Sequence, residues 1–149
     1  MLVETRVKIS KEVDGKIRKS SVIFLTDSVT LIDALAVVIN HLNILQHSHL
    51  ITDADILACK QSSIKEVATQ FEGEKSYVAT LKDIWIDEVG DEKSLRYKVL
   101  LYAADLTECN TRAQQLSREG YDMQIESLTE MDIEYIEPEQ DDTDNEDQI

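Results

Sequence analysis

The stretch Ile17–Leu42, IRKSSVIFLTDSVTLIDALAVVINHL, decides the fold. From Ile17 to Asp27 it carries branched and aromatic residues in the density of a strand. From Leu31 onward, apolar residues recur at three- and four-residue spacing, which predicts a helix of roughly three turns. Thr30, three residues ahead of Asp33, predicts the cap between them, because a hydroxyl there accepts one of the unpaired N–H groups of the first turn. Working backward, Val3, Thr5, Val7 and Ile9 alternate with Glu4, Arg6, Lys8 and Ser10, the pattern of a strand with one wet face. Asp14-Gly15 then predicts a hairpin turn, since glycine accepts a positive φ without strain. Working forward, Leu50–Cys59 is apolar without a clean period and reads as a weaker strand. The order is ββαβ.

The same order returns in the second half. Tyr77–Val89 is strand-like, Gly90-Asp91 punctuates it, and Leu95–Ala104 reads as the returning strand. Thr107 with Asn110 repeats the cap spacing ahead of a helix through Arg118, and Gly120 is expected to end that helix in a left-handed conformation. Tyr121–Ile136 closes as one extended segment. Laid over one another, Val22-Ile23-Phe24 meets Leu100-Leu101-Tyr102, Asp27 meets Asp105, and Thr30 meets Thr107. These matches predict an α+β fold built as a tandem ββαβ repeat, with antiparallel sheets and one helix per repeat. Residues 1–76 are the first repeat and a linker, 77–136 the second repeat, and 137–149 a tail.

The strings FLTDSVTLIDAL (24–35) and LLYAADLTECNTRA (100–113) resemble a group of small two-repeat proteins of unknown function from gut Bacteroidales and their phages. The resemblance spans most of residues 3–136 and rests on element order and hydrophobic pattern. It implies the doubled ββαβ fold and a bacterial or phage source, and it implies no activity. Members often carry Glu-Ala early in each helix, where this chain has Asp33-Ala34 and Asn110-Thr111.

Composition narrows the classes further. A chain of 149 residues with 42% apolar residues is sized for one core. One Pro and four Gly exclude collagen-like and low-complexity chains. No apolar run approaches the ~18–20 residues that cross a bilayer, and the opening MLVETRVKIS lacks the basic-then-apolar order of a signal peptide, so a cytoplasmic protein is expected. Cys59 and Cys109 are too few for a disulfide framework and are expected as free thiols. The net charge of −15 is unevenly placed. All 15 Lys and Arg precede residue 119, together with 17 of the 30 acids, so the body is nearly balanced and the acidity is C-terminal. EPEQDDTDNEDQI (137–149) has almost nothing to bury and is expected to be disordered, as a solubilising end or a docking or self-masking arm.

The helices differ. Cys109, Ala113 and Leu116 make one narrow apolar stripe on the second. On the first, Leu31, Leu35, Val38 and Leu42 make a stripe, Ile32, Ala36 and Ile39 make another beside it, and Ala34 and Val37 lie beyond. So wide an apolar surface needs a second cover, from the chain's own loop or from a partner, and Ile32, Ala36 and Ile39 are the candidate protein interface.

Chemical signatures are sparse. No phosphate-binding glycine loop, zinc-protease motif or nucleophile elbow occurs. His41, His47 and His49 with Cys59 match no common zinc spacing, so no metal or cofactor is expected. The carboxylate pairs Asp53/Asp55 and Asp87/Glu88 carry little meaning in so acidic a chain, and no catalytic residue is assigned. Cations beside aromatics offer an alternative: Arg6, Lys8, Arg18 and Lys19 on the first hairpin, and Lys82, Trp85, Arg96, Tyr97, Lys98 and Tyr102 on the second, form a conceivable single-stranded nucleic-acid platform with the acidic tail as regulator. The near-neutral body weighs against it, because such binders show a strongly basic face. The expectation is a non-enzymatic binding or accessory protein, with a phage among its expected sources. It acts on a protein partner or a second copy through the apolar helix, with no role at a membrane.

Overall fold

The computed structural model describes residues 1–138. Strand β1 (Leu2–Val13) turns at Asp14 and Gly15 into β2 (Lys16–Asp27), and helix α1 (Leu31–His47) follows. Both turn residues have positive φ, 54° and 77°, as a two-residue hairpin loop that matches the strand twist requires. Strands β3 (Asp53–Gln61) and β4 (Ile64–Val67) complete the first unit. The second unit repeats the order as β5 (Lys75–Ile86), β6 (Glu92–Ala103), α2 (Leu106–Gln114), β7 (Asp122–Glu130) and β8 (Ile133–Ile136). The α+β class, the two hairpins and the helix of each unit are as the sequence predicts. Each unit also has a further short strand, so the order is ββαββ twice.

Those short strands change sheets. One sheet runs β3-β1-β2-β8 and the other β4-β6-β5-β7. Thus β4, from the first unit, pairs parallel with β6, while β8, from the second, pairs parallel with β2. The remaining pairings are antiparallel. Bulges fall at matching places, between Arg6 and Val7 against β3 and between Thr80 and Leu81 against β7.

Three cores result. Val7, Ile9, Val22 and Phe24 pack under Val38 and Leu42 of α1. Ala79, Leu81, Val99 and Leu101 pack under Cys109 and Ala113 of α2. Between the sheets, on the faces turned away from both helices, Leu25, Val78 and Leu100 close over Ile64 of β4 and Ile133 of β8. Hydroxyls fasten the second crossing. Ser76 donates to the Met131 carbonyl and accepts from the Ile133 N–H (3.1 Å), and Tyr102 accepts from the Tyr135 N–H (3.0 Å).

The structure corrects the sequence reading at three points. Val22 and Phe24 face α1 as Val99 and Leu101 face α2, so matching Val22–Phe24 to Leu100–Tyr102 is one residue out. A slip of one turns every side chain to the opposite face. The cap of α2 is Asp105, not Thr107: its carboxylate accepts from the Glu108 N–H (2.8 Å), and Glu108 reaches back to the N–H of Ala104, the residue before the cap (3.2 Å). Glu108-Cys109 is therefore the counterpart of Asp33-Ala34, and Asn110-Thr111 is not. Finally, α2 stops at Gln114 with Gln115 as its cap, and Gly120 (φ 87°) serves the turn before β7 instead of ending the helix. The tail expected at 137–149 lies, from residue 139 on, outside the described residues.

Candidate protein interface and groove on the first helix

Helix α1 begins where Thr30 accepts from the Asp33 N–H (3.1 Å). Its buried line is Ala34, Val38 and Leu42. Leu31, grouped with that line in the sequence reading, is instead partly exposed at the helix start, where its carbonyl lies 3.9 Å from Cys59 Sγ of β3. A helix turns 100° per residue, so the residues flanking the buried line look out on both sides. On one flank Ile32 is 79% and Ile39 46% exposed. The neighbouring strand adds Ile56, on the same face of β3 as Cys59 and itself exposed. On the other flank Val37 and Ile44 are also open to solvent. Between Leu31 and Gln46 the only carboxylate is Asp33 and there is no Lys or Arg.

The candidate residues Ile32 and Ile39 thus lie together and exposed, while Ala36 sits at the border and lines a groove on the far flank. That groove, about 680 Å³, runs between α1 and β8. It exists because β8 crosses from the second unit, so no local sequence signal marks it. His41, considered by sequence only as a metal ligand, stands in its wall, with its ring edge-on to Phe24 at 5.3 Å between centroids. Among the described residues no three His, Cys, Asp or Glu side chains gather as metal ligands would.

The alternative nucleic-acid set is split by the strands. Register places Arg6, Lys8 and Lys19 on the face turned away from α1, and Arg18, opposite Lys11, on the other face. In the second hairpin Lys82, Arg96 and Lys98 share the face away from α2. Trp85 and Tyr97 lie on the helix side, where Trp85 stacks edge-on against Tyr121 at 5.5 Å. Arg96 is held by both oxygens of Glu126 (2.8 and 2.9 Å). Tyr102 lies on the cation face but at its base, bound to β8. Among the described residues, none of the three aromatics proposed as the platform stands free beside the exposed cations of that face.

On the second unit the helix side carries a polar cluster around a buried carboxylate that sequence reading missed. Asp83, 2% exposed, accepts from Tyr97 Oη (3.2 Å) and Arg118 Nη2 (2.8 Å), and Arg118 lies over the rings of Tyr97 and Tyr121. Burial raises the Tyr97 phenol above the ordinary range, and the Asp83 carboxylate raises it further. The same carboxylate stabilises the Arg118 cation. Each carboxylate oxygen of Asp83 thus accepts one hydrogen bond, and the cluster clamps the segment after α2 onto the sheet.

A family match covers nearly the whole of this architecture, residues 1–139. The chain belongs to the family described as a domain of unknown function, DUF4494. No curated protein and no solved structure matches it. Among the described residues no helix is long and apolar enough to cross a membrane.

Proposed function

We propose that this member of DUF4494 is a non-enzymatic binding protein whose working surface is the exposed flank of α1, and that the partner seated there is a second copy of the chain. The observation that carries the reading is the exposure of Ile32 and Ile39 beside Ile56, on a helix with one charged side chain among its first sixteen residues. An apolar strip of this kind is self-complementary: two copies related by a twofold axis cover each other's strip without stranding a charge. The doubled ββαββ order with matched bulges supports descent from a doubled unit, and the resemblance noted above supports a source among gut Bacteroidales or their phages, with the protein at work in the bacterial cytoplasm.

Light scattering tests the reading. Wild type is expected at dimer mass and Ile39→Asp at monomer mass with an unchanged circular dichroism spectrum, because an unpaired carboxylate in an apolar seam is strongly disfavoured. A wild type that stays monomeric at high concentration would contradict it.

A second reading, single-stranded nucleic-acid binding, is favoured by one observation: Arg6, Lys8, Lys19, Lys82, Arg96 and Lys98 all lie on sheet faces turned away from the helices. Its check is binding to an oligo-dT probe at low salt that weakens as salt rises, and that weakens further for Lys8→Ala and Lys98→Ala.

A further inference from the structure

The outward N–H and C=O groups of an edge strand are a template for another strand. The longer edges of the two sheets are β3 and β7, nine residues each, and among the described residues neither has a strand on its outer side. Strand β7 carries Asp122, Glu126 and Glu130 and no Lys or Arg, so two copies laid edge to edge bring like charges together. Strand β3 lacks that protection. Its sequence, DADILACKQ, has two acids near one end, its one Lys near the other, no Pro, and Ile56 and Leu57 exposed between them. Run antiparallel to a second copy of itself, such a strand sets its acidic end against its basic end.

Register makes the match specific. Against β1, the residues Ala54, Ile56, Cys59 and Gln61 lie on the α1 side, Asp53, Asp55, Ala58 and Lys60 lie on the other, and Leu57 is the extra residue of the bulge. Without that residue Asp55 and Lys60, five apart, would point to opposite faces; with it they share one. Residues opposite one another in a sheet share a face, so a strand pairs with its own copy about a twofold axis only where its face pattern mirrors itself. With the axis at the bulge it does. Ile56 then falls opposite Cys59 of the second copy on the α1 side, and Asp55 falls opposite Lys60 of the second copy on the other. Symmetry makes each pair twice, and the two bulges coincide at the axis instead of interrupting the flanking pairs. Among the described residues neither Asp55 nor Lys60 makes an ion pair within its own chain. Helix α1 packs against β3, so joining the edges also brings Ile32 and Ile39 of both copies to one side of a continuous sheet.

We propose that two copies associate by antiparallel pairing of β3 with β3 about Leu57 and Ala58, which makes one sheet of the two that contain them and binds Asp55 of each copy to Lys60 of the other. This rests on the reading that the partner of α1 is a second copy, and adds to it the backbone edge, the register and the charge pair that select that partner.

Charge variants of the full chain test the register. Asp55→Lys alone sets two cations against each other at both pairs, and Lys60→Glu alone sets two carboxylates; each should dimerise about tenfold more weakly than wild type in light scattering over a dilution series. An equimolar mixture of the two variants regains an opposite-charge pair at both places and should associate as tightly as wild type. Within one chain Asp55→Lys stands opposite Lys8 and Lys60→Glu opposite Glu4, so circular dichroism first checks that each is folded. A second measurement does not depend on those charges. Opposite residues of an antiparallel pair have Cα atoms about 4.5–5.5 Å apart, inside disulfide range, so Ile56→Cys at its exposed position should oxidise to a covalent dimer whose bridge maps to position 56 of one copy and Cys59 of the other. Wild type should give no such dimer. A wild type that stays monomeric at high concentration would overturn both this pairing and the α1 interface. A wild-type dimer that Ile39→Asp separates, but whose charge variants still dimerise, whose mixture does not recover, or whose bridge maps elsewhere, would keep the α1 interface and overturn the strand pairing.

Discussion

In the first unit the helix is 17 residues long and leaves Ile32, Ile39 and Ile44 uncovered; in the second it is 9 residues long, and Thr107, Asn110, Thr111 and Gln114 form its outward side. Yet the two helices cover their sheets with equivalent pairs, Ala34 and Val38 in one and Cys109 and Ala113 in the other. The shorter length is enough to cover the second sheet, whereas the extension of α1 adds Leu42 to the first core. The second unit continues past its helix end with Arg118, which closes with Tyr97 on the buried Asp83. The first extends its helix instead and turns an apolar surface outward. One skeleton thus supports an inward polar lock and an outward binding face, and the difference lies in side chains that the skeleton does not need.

The largest expected effect concerns whether the units can be separated at all. Leu100 is buried between the sheets with Leu25, Val78, Ile64 and Ile133, so Leu100→Ala should cost about 3 kcal/mol. Because each unit lends a strand to the other, the loss should appear in both. Trp85 fluorescence, which reads only the second unit, and far-ultraviolet circular dichroism, which reads both, should shift to lower urea together. Separate transitions would show two independent units. Next in size is Asp83→Ala, which leaves the Tyr97 hydroxyl and the Arg118 cation without their acceptor and should cost about 2 kcal/mol in urea unfolding, with Asp83→Asn costing less because the amide still accepts.

A pH effect should follow from the tyrosines, all of which lie in the second half of the sequence. Burial raises Tyr77, Tyr97, Tyr102 and Tyr135 above the ordinary phenol range. The folded chain therefore holds these protons at pH values where the unfolded chain has released them. This stabilisation is fully present below pH ~10 and is lost as pH rises through that value toward the folded pKa values. Tyrosinate absorbance should accordingly rise together with loss of circular dichroism above pH ~10. Ionisation of these four at the free-tyrosine position with the fold intact would contradict the burial described here. The smallest effect on stability is expected for Ile32→Thr with Ile39→Gln, which copies the polar coat of α2 onto α1. The isolated chain should change by less than about 0.5 kcal/mol, while association disappears.

Features set by local chemistry were legible in the sequence, and those set by distant pairing were not. The turn at Asp14-Gly15 and the cap at Thr30 depend on a few adjacent residues. The cap of α2 was misplaced because Asp105 and Thr107 are both good cap residues, and only the reach of Glu108 back to Ala104 separates them. Register slipped in β6 because Leu100, Leu101 and Tyr102 are all apolar, one face packing on the other sheet and one on α2, so alternation is masked. Strands β4 and β8 are four residues each and gain their pairing from the opposite unit, which no window along the chain contains. The exposed flank of α1 was visible as surplus apolar surface. The groove was not, since its second wall arrives on β8.

Hydrogen exchange of the full chain at increasing protein concentration tests the proposed role of α1 most directly. If the exposed flank seats a second copy, peptides covering Leu31–His47 and the adjacent strand β3 should exchange more slowly as concentration rises, while those covering Leu106–Gln114 should not change. Exchange in α1 that is indifferent to concentration, or protection that builds on α2 instead, would contradict the account.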